Sequence, residues 1–217
     1  MKELTLIIPA KNEAESLPIV LSELDKYNFK IDIILHPSDI QTIQAIQKYN
    51  INIGYQKNMG YGAAIKTGLK NCRNEWIFQT DGDAEYDVND LLKLMKKTKV
   101  SDLVVTYRLK KKYKTSRIVI SWIYNVILRI LFHTDFKDIS TGSRLINRSI
   151  LKKIKLISNS PFLGAELAIK SKYKGFKVSE VGINTYPRTF GTGSSVSLEN
   201  ILLTIKEMVT LFIKIKI

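Results

Sequence analysis

The sequence predicts an α/β fold in one domain, with a mostly parallel central sheet. Short apolar runs typical of buried strands alternate with stretches whose apolar residues recur at helical spacing. A length of 217 residues supports one sizeable core. With 45% hydrophobic and 25% charged residues, the composition is that of a globular protein, which excludes disordered and collagen-like classes.

Five strands are predicted in the first half of the chain, at residues 4–8, 31–35, 51–55, 76–80 and 103–107. Helical patterns separate them at residues 16–24, 40–46, 60–68 and 90–95, and Asp39 precedes the second helix as a candidate cap. Strands that alternate with helices pair in parallel through crossover connections. Ligands bind such sheets beyond the carboxyl ends of the strands, so we expect the loops that follow the strands to share one crevice.

The pattern changes after residue 107. A basic segment at 108–117 is followed by an apolar helix at 118–132, a short strand at 144–147, a helix at 164–173, an edge strand at 176–184 and an apolar helix at 198–217. Neither apolar helix has the roughly 18 to 20 uninterrupted apolar residues of a spanning segment, so we expect no full membrane span. Each is interpreted as an interfacial helix on a bilayer or as a buried packing or dimer helix.

The charge balance favours an anionic partner. The chain has 34 Lys and Arg against 20 Asp and Glu, a net charge of +14. An acidic lipid surface, a phosphorylated small molecule or nucleic acid would suit this charge, and a lysine-rich solvated surface is the alternative. The sequence shows no helix-turn-helix, zinc or aromatic-rich RNA motif, so we expect no nucleic-acid partner. A single cysteine, Cys72, excludes an intramolecular disulfide and indicates a cytoplasmic protein.

The sharpest chemical signal is Asp81-Gly82-Asp83, which directly follows the predicted strand at 76–80 and precedes Ala84-Glu85. Two carboxylates one residue apart on a turn can present oxygens to one divalent cation, which keeps open positions for substrate phosphates. The alternative is an acidic turn with a helix cap, because Asp and Gly are common turn residues.

Six motifs together carry a resemblance to a known family. They are residues 9–13 (Pro-Ala-Lys-Asn-Glu), residues 58–64 (Asn-Met-Gly-Tyr-Gly-Ala-Ala), the Asp81-Gly82-Asp83 turn, Asp-x-x-x-Gly-x-Arg at 138–144, Gly164 with Glu166, and residues 188–195. The chain resembles the family-two nucleotide-sugar glycosyltransferases, and within them the dolichol- or polyprenyl-phosphate sugar synthases. The resemblance implies one Rossmann-like domain of the glycosyltransferase A-type (GT-A) fold over 1–217. A nucleotide-sugar half at 1–107 and an acceptor half at 108–197 precede the C-terminal apolar helix at 198–217.

The resemblance also implies a donor site that binds a nucleotide sugar with Mg²⁺ or Mn²⁺. Asp81 would lie toward the nucleotide, and Asp83 toward the metal with Glu85 as a further ligand. The residues expected to contact the donor are Pro9, Ala10, Asn12, Glu13, Asp39, Asn58, Gly62, Asp81 and Gly82. The sequence departs from the family's Asp-Asp-Gly-Ser turn, because it has His36-Pro37-Ser38-Asp39 there, and Ser143 replaces a common aromatic. Asp39 either binds the nucleotide base or only caps the helix, so the sequence does not predict which base the donor carries.

The second half is expected to bind the acceptor. The candidate acceptor residues are Arg108, Arg117, Arg144, Arg188 and Ser194, because guanidinium groups suit phosphate oxygens. A lipid phosphate can attack the anomeric carbon directly, whereas a sugar hydroxyl needs a base, for which Asp138 and Glu166 are the candidates. With Asp81, Asp83, Arg144 and Arg188, these two carboxylates complete the predicted catalytic set.

The resemblance favours transfer with inversion to a polyprenyl phosphate by a protein bound to the anionic inner face of the cytoplasmic membrane. A homodimer or a separate membrane-anchor subunit is a further expectation. The alternatives are a glycosyltransferase with a saccharide hydroxyl acceptor, a nucleic-acid-binding protein, and an inactive scaffold at a membrane.

Overall fold

A computed structural model describes residues 4–87, 89–110, 115–187, 190 and 197–216. In this part of the chain seven strands form one sheet. They are β1 (Leu4–Pro9), β2 (Lys30–Leu35), β3 (Asn52–Tyr55), β4 (Trp76–Gln79), β5 (Leu103–Arg108), β6 (Arg144–Asn147) and β7 (Val178–Ile183). The strand order is β3-β2-β1-β4-β6-β5-β7. The predicted α/β class and the edge position of the last strand are confirmed.

The sheet is mostly parallel, as predicted. Strand β1 pairs in parallel with β2 and β4, and β2 with β3. Strand β6 runs antiparallel to both of its neighbours, β4 and β5, whereas β5 and β7 are parallel. The register sets Arg144 of β6 directly opposite Gln79 of β4, so the two side chains leave the same face of the sheet near the crevice.

Eight helices surround the sheet in the described residues. They are α1 (Leu17–Leu24), α2 (Ile40–Ile46), α3 (Tyr61–Asn71), α4 (Asp90–Met95), α5 (Thr115–Phe132), α6 (Ser149–Lys153), α7 (Leu163–Tyr173) and α8 (Leu198–Lys216). The sequence pattern did not predict α6 or the 3₁₀ turn Asp25–Tyr27, because elements of three to five residues are too short for a helical period to show.

The central strands are buried on both faces. Alternate residues enter two separate clusters: Ile7 and Ile77 pack on one face with α3 and α7, while Leu6 and Phe78 pack on the other with α1 and α4. Strands covered on both sides have near-continuous apolar runs, which explains why the sequence signals them so clearly. Both faces are therefore filled mainly by apolar side chains.

Helices α5 and α8 are less covered than the other long helices. On α5 the side chains of Trp122 and Ile130 are 63% and 67% exposed, and on α8 Leu202 is 60% exposed. Phe132 of α5 meets Phe212 of α8 edge to face, with ring centroids 6.1 Å apart. The two helices therefore contact each other and keep apolar side chains outside the core.

The structure extends the first apolar helix beyond its predicted start. Helix α5 begins at Thr115, three residues before the predicted start, and so reaches 18 residues. By length and composition alone it could cross a membrane, and 17% of it is buried. The core helix of a soluble protein can meet the same criterion, so length alone does not distinguish a spanning helix from one that lies on a surface.

Candidate functional site

The loops after β1, β2 and β4 meet at the carboxyl edge of the sheet. The backbone N–H of Asn12 donates to Asp39 Oδ2 at 2.7 Å, which joins the first two loops. The carboxylate of Glu13 lies against Gly82, where any Cβ would overlap it. Pro9 and Ala10 are buried at the start of the first loop, and the Ala10 N–H donates to Ile34 O. The predicted crevice is confirmed as a place where these loops touch.

Both carboxylate oxygens of Asp39 accept hydrogen bonds from backbone N–H groups. One oxygen binds Asn12, and the other accepts from Thr42 N at 3.3 Å as the N-cap of α2. Of the two roles that the sequence left open, the cap is present. His36 Nδ1 lies 2.7 Å from Ser38 Oγ within the same turn. The turn is therefore organised by its own hydrogen bonds.

The cap can be tested by two substitutions. Asp39→Ala should lower the free energy of unfolding by about 1 kcal/mol, because it leaves an N–H of α2 without its acceptor. Asp39→Asn should recover part of this loss, because its single amide oxygen can still accept from Thr42 N but cannot also accept from Asn12 N. Denaturant unfolding of the two variants measures the difference. Equal stability of the Ala variant and the unsubstituted protein would contradict the capping role.

Asp81 is held by residues from three parts of the chain. The Tyr61 hydroxyl donates to Asp81 Oδ1 at 2.8 Å, and Gln79 Nε2 donates to Tyr61 Oη at 3.0 Å. Gly142 packs so closely on the Asp81 carboxylate that a Cβ there would overlap it. Burial, followed by the neighbouring Asp83 charge, raises the pKa of Asp81 to about 7. The carboxylate is therefore fixed in orientation and close to a second negative charge.

Asp83 and Glu85 follow on the same turn. Asp83 is 5% exposed, and its Oδ1 accepts from Glu85 N at 3.1 Å. The Glu85 carboxylate is buried and lies 3.7 Å from Arg117 Nη1. Within the described residues no group of three His, Cys, Asp or Glu side chains could hold a metal ion. Glu85 is thus paired with Arg117 in the described structure, and the metal role of Glu85 and the acceptor role of Arg117 stay predictions.

Two carboxylates nevertheless fit a divalent cation. Each raises the cost of ionising the other, which is how Asp83 contributes to the raised pKa of Asp81. A cation between a nucleotide diphosphate and one or two protein carboxylates keeps most of its coordination positions for phosphate oxygens and water. The donor set of Asp81 and Asp83 matches that mode of binding.

The glycines at the start of α3 make close contacts with the chain itself. Gly62 N–H donates to Asn159 O at 2.8 Å, and a Cβ on Gly62 would lie 2.7 Å from Asn159 C. Gly60 has φ +117°, a backbone conformation that residues other than glycine rarely adopt. The backbone at Gly62 therefore approaches Asn159, while Asn58 of the same motif is exposed, and their contacts with the donor stay predictions.

Arg144 lies beneath the crevice with 3% exposure. Its Nη2 donates to Thr141 O, and its guanidinium packs on Gly164 at the start of α7 so closely that a Cβ there would overlap it. Its Nε and Nη1 have no hydrogen-bond partner in the described part of the chain. Burying a guanidinium with two unpaired N–H donors costs free energy unless a bound acceptor forms hydrogen bonds with them.

The two candidate bases are both engaged. Asp138 accepts from Arg108 Nε and Nη2 at 2.8 and 3.1 Å and from Asn125 Nδ2 at 3.1 Å. This bidentate pair is nearly buried and joins β5 to the loop before β6. The Arg108 guanidinium therefore binds Asp138, whereas the sequence motif predicted that it contacts the sugar-acceptor substrate. Asp138 is 3% exposed, and its carboxylate is already bound to a guanidinium.

Glu166 lies fully buried on α7. It accepts from Ile157 N at 2.9 Å and Ser158 N at 2.8 Å, and Lys170 Nζ lies 2.5 Å away. Burial raises the pKa of Glu166, but the hydrogen bonds from Lys170, Ser158 and Ile157 outweigh it and lower the pKa below its ordinary value. The carboxylate organises the loop at 154–162 and is poorly suited to take a proton.

Two of the predicted acceptor residues, Arg188 and Ser194, lie outside the described residues. Three contact residues were not predicted as site residues: Tyr61, Gln79 and Asn159. Tyr61 belongs to the motif at 58–64, in which the glycines carry the sequence signal, and Gln79 is a polar residue at the end of an apolar strand. A buried polar residue next to a candidate carboxylate was the available signal for Gln79.

Comparison with known proteins agrees with this fold and shows the family. The Glycosyl transferase family 2 model matches residues 5–155. An uncharacterised glycosyltransferase of Mycobacterium tuberculosis is 25% identical over 195 residues, covering 86% of this chain and 87% of its own. An undecaprenyl-phosphate mannosyltransferase of Micrococcus luteus is 26% identical over 194 residues, covering 82% and 75%.

A glucosyl-3-phosphoglycerate synthase from Mycobacterium tuberculosis, solved with Mn²⁺, uridine diphosphate and glucosyl-3-phosphoglycerate, has the same fold. It superimposes with a TM-score of 0.79 at 12% identity, covering 97% of this chain and 78% of its own. The fold is therefore that of GT-A enzymes. The chain belongs to glycosyl transferase family 2 and is a nucleotide-sugar glycosyltransferase.

Proposed function

We propose that the protein transfers a sugar from a nucleotide sugar to a polyprenyl phosphate of the dolichyl type, at the cytoplasmic face of a membrane and with Mg²⁺ or Mn²⁺. The metal would be held by Asp83, with Asp81 alongside toward the nucleotide. When bound, the cation neutralises charge that grows on the departing nucleoside diphosphate. Relatives named for polyprenyl-phosphate substrates support this class of acceptor.

The observation that carries the proposal is the engagement of both candidate bases. Asp138 is paired with Arg108, and Glu166 binds two backbone N–H groups and Lys170. A sugar hydroxyl would require proton removal in the transition state, and neither carboxylate is arranged to accept that proton. A phosphate monoester is already anionic near neutral pH, so it can act as the nucleophile without a base.

The buried guanidinium supports an anionic acceptor. Arg144 has Nε and Nη1 without hydrogen-bond partners in the described residues, and phosphate oxygens are well matched to such a fork. The positive charge of Arg144 partly offsets the rise in the pKa values of Asp81 and Tyr61. Arg144 therefore lies within electrostatic reach of the donor carboxylate. We therefore assign Arg144 to the acceptor phosphate.

The exposed apolar faces of α5 and α8 suit a lipid acceptor. Trp122 and Ile130 of α5 and Leu202 of α8 project from the core. Arg117, near the start of α5, pairs with Glu85 of the donor turn, so this helix is joined directly to the donor site. A helix that contacts lipid at one face and the donor turn at its start would bring a membrane-bound phosphate near the crevice.

The acceptor is tested by measuring sugar transfer from UDP-, GDP- and dTDP-sugars, with Mn²⁺, to a polyprenyl phosphate and to a saccharide. Transfer to the polyprenyl phosphate, with the saccharide inert, is the expected result. Transfer to the saccharide alone would contradict the proposed acceptor and leave the glycosyltransferase assignment intact.

Membrane contact gives a separate prediction. Ile130→Glu should reduce binding to anionic vesicles several-fold, and binding of the unsubstituted protein should weaken as salt rises. Val100→Glu is the matched control, because Val100 is 59% exposed and lies on neither helix. Vesicle co-sedimentation measures both. Binding that is indifferent to Ile130→Glu and to lipid charge would show that α5 does not contact lipid.

A further inference from the structure

Gln79 and Tyr61 form a chain of hydrogen bonds that ends on Asp81. Gln79, which is buried, uses both hydrogens of its side-chain amide: Nε2 donates to Tyr61 Oη and to Gly142 O, each at 3.0 Å. Tyr61 then donates its own hydrogen to Asp81 Oδ1. The donor direction is unambiguous, because a hydroxyl that accepts from an amide directs its single hydrogen elsewhere.

The same amide links the two halves of the protein. Tyr61 begins α3 in the donor half, and Gly142 lies in the loop before β6 in the acceptor half. Gly142 also packs against the Asp81 carboxylate and leaves no space for a Cβ. Tyr61 and Gly142 thus contact Asp81 from two sides, and Gln79 fixes the distance between them.

This arrangement is not explained by stability alone. The Gln79 carbonyl oxygen is buried without a hydrogen-bond partner in the described residues, which costs free energy that an apolar side chain of similar size would avoid.

We propose that Gln79 and Tyr61 are positioning residues that hold the Asp81 carboxylate in the orientation required to bind the nucleotide of the donor. Asp81 contacts the donor; Tyr61 and Gln79 act through it. This role rests on the donor half of the proposed function and is independent of the acceptor.

The test is calorimetric titration with UDP, GDP and dTDP, each in the presence of Mn²⁺ and without acceptor. Tyr61→Phe should raise Kd about 10-fold, the effect of a lost hydrogen bond to a charged group. Gln79→Met, which keeps the volume and removes the amide, should raise Kd in the same direction by less. Both variants should melt close to the unsubstituted protein.

Tyr49→Phe is the matched control, because the Tyr49 hydroxyl donates to Pro18 O at 3.0 Å, between α1 and α2 and away from Asp81. It removes the same group and should leave Kd unchanged. On an Asp81→Asn background, Tyr61→Phe should change Kd no further, a non-additivity that a purely structural role would not produce.

Three results would overturn the proposal: an unchanged Kd for Tyr61→Phe, an equal rise for Tyr49→Phe, or no binding of any of the three nucleotides by the unsubstituted protein. The last would also remove Asp81 from the donor site. Failure of polyprenyl phosphate as acceptor would leave this inference standing, since the titration contains no acceptor.

Discussion

Asp83→Asn is expected to reduce sugar transfer at least about 10²-fold and to leave the melting temperature nearly unchanged. The amide has the shape of the carboxylate, and its oxygen can still accept from Glu85 N, so the turn should persist. What it loses is the negative charge that would bind the cation. Release of nucleoside diphosphate from the donor, measured with saturating Mn²⁺, gives the loss of rate.

Asp87→Asn is the control for this prediction. Asp87 lies four residues along the same loop and accepts from Asn89 N at 2.8 Å, a bond that Asn retains. Its activity should therefore match that of the unsubstituted protein. Chelation should stop turnover in both proteins, and added Mn²⁺ should restore it. Full activity in chelator, or in the Asp83 variant, would exclude a metal-dependent reaction at this turn.

The sheet could be predicted because its strands are buried on both faces. The apolar run at 4–8 and the β-branched run at 31–35 became β1 and β2 with boundaries shifted by at most one residue. The direction of β6 could not be predicted. A four-residue strand has the same apolar pattern in either direction. The long connection through α5 can lead into a parallel or an antiparallel strand.

The candidate site was predictable in its location and less so in its contacts. The turn at Asp81 and the loop at Glu13 do meet, because the carboxyl ends of parallel strands share an edge. The partners of charged residues were not predictable, since an arginine in a motif may bind a substrate or a carboxylate of the same chain. Arg108 and Arg117 have intramolecular carboxylate partners, and spacing in sequence carries no information about such long-range pairs.

Arg144→Ala is expected to lower kcat/KM for a polyprenyl phosphate by about 30- to 1,000-fold, which corresponds to roughly 2 to 4 kcal/mol of transition-state stabilisation. The reason is that its buried guanidinium has two unused donors and lies within electrostatic reach of Asp81. Arg148→Ala is the control. Arg148 follows β6 at its other end, where its N–H donates to Glu75 O, and its loss should leave kcat/KM unchanged.

Glu166→Gln should behave in the opposite way. The carboxylate supports the loop at 157–158 through two backbone N–H groups, so its replacement should cost about 1 to 3 kcal/mol of folding stability. The folded fraction should keep most of its kcat/KM, because a phosphate acceptor needs no proton removed. If the acceptor is a hydroxyl, the order reverses: the Glu166 or Asp138 variant would lose about 10² to 10⁴ in rate, and the pH profile would lose its acidic limb. A dominant effect at Glu166 on folded protein, together with a tolerant Arg144, would exclude a lipid phosphate as the acceptor.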